Sequence, residues 1–293
     1  MPIEVKNLSF SYPSTGGWGE HILQDISFSL SSGEILGVLG KPGSGKSTLL
    51  QLLNGLLPAP ENTIFIDGED ISQLTKEKTI LLRRKVGLVM QFPEKQLFAR
   101  TVYEDVAFGP ENLGFPADET ESRVKLGMEM AGLDYDVFSQ RSPFGLSGGE
   151  KRKVALAGVF SIRTPYLLLD EPTAGLDQDA REIFFSTLLK LKNEYHTGII
   201  MVTHVPRDML AFADKAIFIQ NGAAAATDDI FALMEALEKP DLLSGKFPCI
   251  TKARELMYRL EAGGLQADKR VRNVSEAAAS IYAALHSAGD VHV

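Results

Sequence analysis

One stretch constrains this chain more than any other: Gly40-Lys41-Pro42-Gly43-Ser44-Gly45-Lys46-Ser47-Thr48. It fits G-x-x-x-x-G-K-[ST], follows the apolar run EILGVL and leads into the helix-like run KSTLLQLL. That strand–loop–helix setting is the one in which the pattern holds phosphate. Glycines let the backbone curl until successive N–H groups point into one concavity. The helix that follows aims its free N–H groups and the positive end of its dipole at the same spot. Lys46 adds a point charge for β- and γ-phosphates, and the Ser47 hydroxyl is a hard oxygen donor suited to Mg²⁺.

The runs around the loop set the fold class. Apolar, β-branched stretches at 34–39, 62–66, 85–90, 166–169, 198–203 and 215–220 read as strands. Helical patterns at 46–53, 177–191 and 207–213 follow several of them. Such alternation gives an α/β core with a mainly parallel sheet. Runs 3–12 and 22–30 alternate more and read as an antiparallel part, joined by the turn-rich loop 13–19. From about 92 to 160 the chain reads as an inserted helical subdomain. After Asn221-Gly222 the character shifts to short helices at 230–237, 251–260 and 275–285. The expected division is therefore 1–222 and a helical extension, 223–293.

Composition narrows the function classes. With 30 basic and 38 acidic residues the formal charge is -8, which argues against a general nucleic-acid binder. The single cysteine, Cys249, excludes an internal disulfide framework. The first ten residues show no basic segment followed by an apolar run, so no export signal is expected. The uncharged stretch 47–60 holds 14 residues, too few for a membrane-spanning helix, which needs about 20. Work at a membrane would require a partner.

Tyr166-Leu167-Leu168-Leu169-Asp170-Glu171 is an apolar strand ending in two carboxylates. Such a run suits the centre of a parallel sheet, and ligands bind outside the carboxyl ends of such strands. Asp170 would meet the Mg²⁺ shell there. Glu171, one residue on, would serve as general base or water orienter. Leu146-Ser147-Gly148-Gly149-Glu150 precedes another helical run. It reads both as a second anion cradle and as an ordinary helix entry, with Ser147 and Glu150 forming a capping box.

The order along the chain is 40–48, Gln91, 146–150, LLLDEP at 167–172, Asp177, and His204 after GIIMVT. This resembles the ATP-binding subunit of ABC transporters from about residue 3 to 222. The resemblance implies ATP and Mg²⁺ as ligands, with Ser47, Gln91 and Asp170 around the metal. It makes Tyr12 the residue stacking on adenine, with Phe10 as competitor, and Gln91 the sensor of Mg²⁺ and γ-phosphate. His204 becomes the switch that contacts the γ-phosphate and positions Glu171. Asp177 would communicate across a dimer, although it also sits where an N-cap belongs. Residues 146–150 would act on the ATP of a second ATPase subunit, identical or paralogous. The family's usual fifth signature residue is Gln; Glu150 departs from it, and its charge would disfavour close approach to phosphate.

After Gln91 the run Phe92-Pro93-Glu94-Lys95-Gln96-Leu97-Phe98, with Phe108-Gly109-Pro110-Glu111-Asn112, is similar to the energy-coupling-factor (ECF) ATPases, including cobalt-type importers. The tail from Phe247 to Leu265 resembles that group's C-terminal extension more loosely. The implied partners are an integral membrane coupling subunit and a substrate-binding membrane subunit, with the chain peripheral on the cytoplasmic face and no nucleic acid. The implied cargo is a vitamin or a transition-metal ion. Phe92, Phe98 and Phe108 read either as a groove for a partner helix or as core packing. The C-terminal helices read as a dimerisation element or a passive cap. Two alternatives stand beside this: another ABC transporter class, or a soluble ABC ATPase acting on nucleic acid, which the short interval from 48 to 146 and the acidic charge disfavour.

Overall fold

The computed structural model describes residues 2–13, 19, 21–205, 209, 212–227, 230–232, 252–271 and 274–289. Contacts divide the chain into two units, Met1–His204 with Ile217–Ala226, and Val205–Ala216 with Thr227–Val293.

The first unit opens with two long strands, β1 (Ile3–Ser11) and β2 (His21–Leu30), paired antiparallel. Their inward positions Ile3, Val5, Leu8, Leu23, Ile26 and Leu30 are buried while intervening polar residues face water, the mark of a half-covered sheet whose alternation is broken by register shifts along the pair. Two short strands, β4 (Ile64–Ile66) and β5 (Glu69–Asp70), extend this part antiparallel. The central strands are β3 (Ile35–Gly40), β6 (Val86–Val89), β7 (Tyr166–Asp170) and β8 (Gly198–Thr203). β3, β7 and β8 are buried at every position, because helices cover both faces of a parallel sheet. β9 (Lys215–Gln220) and β10 (Ala223–Thr227) join the two halves. The sheet order is β5-β4-β1-β2-β10-β9-β3-β8-β7-β6. The antiparallel start and parallel centre match the sequence expectation. The short edge strand β5 and the joining strand β10 carried no sequence signal strong enough to expect them.

Helix α1 (Lys46–Leu53) has the expected bounds. α2 (Lys76–Lys85) was not anticipated: its one buried residue is Leu82, so it lacks an apolar stripe. α3 (Val102–Asn112), α4 (Ala117–Met130) and α6 (Gly148–Phe160) pack on one another as a helical layer, with the single turn α5 (Tyr135–Phe138) between them. α7 (Gln178–Tyr195) starts one residue later than the sequence suggests, since Asp177 caps it rather than entering it.

In the second unit, α8 (Lys252–Ala262) and α9 (Val274–Gly289) pack together over Ala253, Met257, Val271 and Ala277. Residues 230–232 are helical. Most of the expected helix 207–213, the loop 14–18, the remainder of 230–237, and the tail segment 247–251 with Cys249 lie outside the described residues.

Candidate functional site

Strand register brings the site together. The β3–β8 ladder ends at Leu39↔Thr203, the β8–β7 ladder at Asp170↔Val202, and the β7–β6 ladder at Val89↔Leu169. Residues 40, 204, 170–171 and 91 therefore leave four parallel strands at one edge, the carboxyl edge, where such sheets bind ligands. Nothing in the sequence distances (33 residues from Glu171 to His204) reveals this.

The loop 40–48 is locked by its own fold. A Cβ at Gly40 would collide with the Ile219 carbonyl oxygen and lie 2.5 Å from Ser44 Oγ. Gly45 caps α1 at φ 96°, and a Cβ there would lie 2.7 Å from Leu23 Cδ2 and 2.8 Å from Ile22 O. Only glycine fits either place. Lys46 is buried and its ammonium donates to the carbonyls of Gly40 at 2.8 Å and Lys41 at 2.9 Å. Burial pushes the Lys46 pKa down, and the nearby carboxylates of Glu171 and Asp170 pull it back up. Buried Thr48 accepts or donates a 3.1 Å hydrogen bond with the Tyr12 hydroxyl. Lys41, Pro42, Gly43 and Ser47 stay exposed around the rim, while Ser44 is buried and its Oγ has no hydrogen-bond partner among the described residues.

Asp170 is buried at the end of β7. Burial raises its pKa, the Ser47 hydroxyl hydrogen-bonded to it and the Lys46 charge oppose the rise, and Glu171 adds to it. Glu171 adopts φ 48°, a strained backbone for a residue with a side chain. Its N–H donates to Val202 O at 3.0 Å, tying the turn to the neighbouring strand. Its Oε2 bonds His204 Nδ1 at 2.8 Å and accepts from the His204 N–H at 3.3 Å. The His204 ring is otherwise exposed, with 51% of its side chain open to solvent.

Tyr12, not Phe10, presents an exposed ring. Phe10 packs against the core and meets Tyr12 edge-on, centroids 5.2 Å apart. A cavity of about 610 Å³ opens beside Tyr12, walled by Phe10, His21, Pro58 and Pro60. Gln91 is exposed two residues beyond β6, just before Phe92 at φ 55°.

The signature corner is built differently. Ser147 caps α6 and shares a capping box with Glu150: the Glu150 carboxylate accepts from Ser147 N at 2.8 Å and from Ser147 Oγ at 2.6 Å. These bonds, the hydroxyl's first, hold the Glu150 carboxyl below the usual carboxylate range. Leu146 is buried as the anchor, while Ser147, Gly148 and Gly149 are exposed. A Cβ on Gly148 or Gly149 would meet nothing within 4 Å. Asp177 caps α7 by accepting from Ala180 N at 2.8 Å, so its capping role is real. Gly149 and Asp177 line one cavity of about 250 Å³ with Leu156 and Phe184, which puts two sequence-distant motifs side by side.

Of the three phenylalanines, Phe98 and Phe108 form an edge-to-face pair, centroids 4.8 Å apart and 59% and 49% exposed. The Asp105 carboxylate accepts from Phe98 N at 3.1 Å and fastens the pair to α3. The Phe92 ring instead lies under the Lys95 ammonium, 4.6 Å away. All three are surface residues rather than core. Arg152, buried within α6, escaped the sequence reading altogether; an arginine on the inward side of a helix leaves no motif.

Comparison with known proteins follows the same lines. The family model described as ABC transporter matches residues 23–174. The energy-coupling factor transporter ATP-binding protein EcfA2 of Clostridium acetobutylicum is 38% identical over 98% of this chain and 99% of that protein. A putative ABC transporter ATP-binding protein of Methanosarcina acetivorans is 37% identical over 94% of this chain and 92% of its own length. Among solved structures, cbiO1 from Clostridium perfringens, part of the ABC transporter complex cbiONQ, superposes with TM-score 0.71 at 30% identity, covering 88% of this chain and 98% of that one. A post-hydrolysis dimer of the ATP-binding cassette MJ0796 with ADP and phosphate gives 0.68 at 26% identity, covering 76% and 98%.

Proposed function

The chain belongs to the ABC transporter ATP-binding proteins, in their energy-coupling-factor branch, and on that premise we propose how its residues turn over ATP. It is an ATPase whose hydrolysis powers an ECF-type importer. Loop 40–48 cradles the β- and γ-phosphates, with the α1 dipole and Lys46 neutralising their charge. Tyr12 stacks on the adenine, and its bond to Thr48 holds base site and phosphate site at a set separation. Glu171 takes the proton of the attacking water. His204 fixes the Glu171 oxygen by two bonds and contacts the γ-phosphate. Gln91, at the same edge, reports phosphate occupancy to the turn that follows it.

The adjacent Ser47 hydroxyl and Asp170 carboxylate fit Mg²⁺, which takes one or two protein oxygens and fills its shell with water and phosphate. When bound, the ion spreads the negative charge of the triphosphate, with Gln91 as a further oxygen donor. Among the described residues no group of three His, Cys, Asp or Glu forms a metal cage, and none is required here.

A second ATPase subunit supplies Ser147 and Gly149 to the same ATP, and Asp177 lies beside that contact. The open space around Gly148 and Gly149 supports this, because no packing among the described residues calls for glycine there. The Phe98–Phe108 pair, with Phe92 nearby in sequence, receives a helix of the membrane coupling subunit. A separate membrane subunit binds the cargo. The C-terminal helices hold the ATPase dimer between cycles. No helix of the described residues is long and apolar enough to cross a membrane, and in this reading the chain is peripheral, on the cytoplasmic face.

The observation that carries the reading is the Glu171–His204 pair beside Lys46 at the carboxyl edge. Glu171→Gln in the assembled transporter is expected to bind ATP normally and to lose at least about a hundredfold in turnover. Turnover near the wild-type rate would overturn the assignment.

A further inference from the structure

Arg152 lies in α6, just past the signature residues, and is 7% exposed. Its guanidinium donates through Nη1 to Ala174 O at 2.6 Å and through Nη2 to Pro172 O. Both carbonyls belong to the short segment between Glu171 and Asp177. Its Nε is buried without a hydrogen-bond partner among the described residues. So is Oε2 of Glu94, in the turn Pro93–Gln96 that follows Gln91 and packs against α6. Burial pushes the Arg152 guanidinium pKa down, and the nearby Glu94 carboxylate works against that fall.

Orphaned buried donors and acceptors are rare in folded proteins because each keeps its full desolvation penalty. Here an orphaned cationic donor and an orphaned anionic acceptor sit on two elements in contact. A relative movement of the Gln91 turn and α6 that brings the two atoms together would satisfy both at once. The planar guanidinium fork transmits such a movement as a rigid unit, which a lysine cannot do.

We propose that Arg152 is a positioning residue: its fork holds the segment carrying Glu171 and Asp177 on the signature helix, and Glu94 is its alternate partner, so that a shift of the Gln91 turn is passed to Glu171. In the proposal Glu94 would be free in the arrangement the structure shows and bonded to Arg152 in a second one, the two states that switching between packed elements requires. It rests on the reading of Glu171 as the base.

The test uses the assembled transporter with Arg152→Lys, Glu94→Gln and the double variant, each followed by ATP turnover, KM for ATP and thermal unfolding. Arg152→Lys is expected to lower kcat about tenfold, the scale of a small misplacement at a reacting centre, with KM and unfolding midpoint close to wild type. Glu94→Gln is expected to lower kcat about threefold or more, and the double variant to fall no lower than Arg152→Lys alone, since the two residues act through one contact. Wild-type kcat in Arg152→Lys, a change in KM alone, or effects that multiply fully in the double variant would each overturn the proposal. If Arg152→Lys fails to fold, Glu94→Gln decides: wild-type kcat there overturns the coupling. An active Glu171→Gln variant would bring down the reading beneath it, whereas an inactive one beside a normal Arg152→Lys removes only the positioning role.

Discussion

A methyl group added at Gly40 would run into the Ile219 carbonyl and Ser44 Oγ, whereas one added at Gly148 or Gly149 would meet nothing within 4 Å. Both corners present glycines at a helix N-terminus, yet only the first needs them for its own folding. The phosphate loop is braced by the sheet, with Gly40 against Ile219 of β9, Gly45 against β2 and Thr48 bonded to Tyr12, while Lys46 bonds back to the loop's own Gly40 and Lys41 carbonyls. In the signature corner the exposed cap residues Ser147 and Glu150 bond each other, and the glycines between them, Gly148 and Gly149, meet no other described part of the chain within 4 Å of an added Cβ. One loop is closed by its own fold, and the other is left open, which fits the proposal that it meets a second subunit. That difference accounts for why an ATPase of this kind is proposed to work as a pair.

The contrast can be broken at four places. Gly40→Ala is expected to cost about 2–3 kcal/mol or more, because backbone rather than a flexible side chain must give way; chemical denaturation measures it, and a loss under about 0.5 kcal/mol would mean the loop is not locked. Ser147→Ala removes the α6 cap and should cost about 1 kcal/mol by the same measurement. Gly149→Ala should leave stability unchanged or raise it by up to about 1 kcal/mol, as alanine favours helix, while lowering turnover of the assembled complex. Loss of stability there would show that the corner serves its own fold. Glu150→Gln is the mildest. The folded Glu150 carboxyl titrates below its unfolded value. Its contribution is therefore complete above the ordinary carboxylate pKa and is lost as pH falls through the lowered one. Between about pH 5 and about pH 3 the unfolding midpoint of Glu150→Gln should fall less than that of the wild type. The hydroxyl that Glu150 holds is the one a partner's phosphate would need, so the same variant sharpens the question of what the Gln-to-Glu departure does.

Legibility in the sequence tracked the range of the interactions. Helix α1 kept its expected bounds because loop, glycine and apolar spacing all act within a few residues. Buried parallel strands such as β7 and β8 were visible as unbroken apolar runs. The capping box at 147–150 was legible as such, and the structure adds that Glu150 also takes the Ser147 hydroxyl. By contrast α2 carries almost no apolar face, and the edge strand β5 is two polar residues, so neither has a periodicity to detect. Phe92 in a left-handed conformation and the Asp105 bonds that hold Phe98 had no local signal either. Arg152 reads in sequence as one more basic residue in the run KRK; only its burial against Pro172 and Ala174 sets it apart.

Sequence alone determined the phosphate loop, the apolar strands, the acidic pair at a strand end and the family they resemble, since each is written in contiguous residues whose backbone preferences and chemistry are local. Tertiary structure alone decided that Gly40, Gln91, Glu171 and His204 leave one sheet edge, that Tyr12 rather than Phe10 shows its ring, and that Arg152 meets the segment behind Glu171. Those outcomes depend on strand order and ladder register, and register is settled by packing between segments far apart in the chain, where no local pattern reaches.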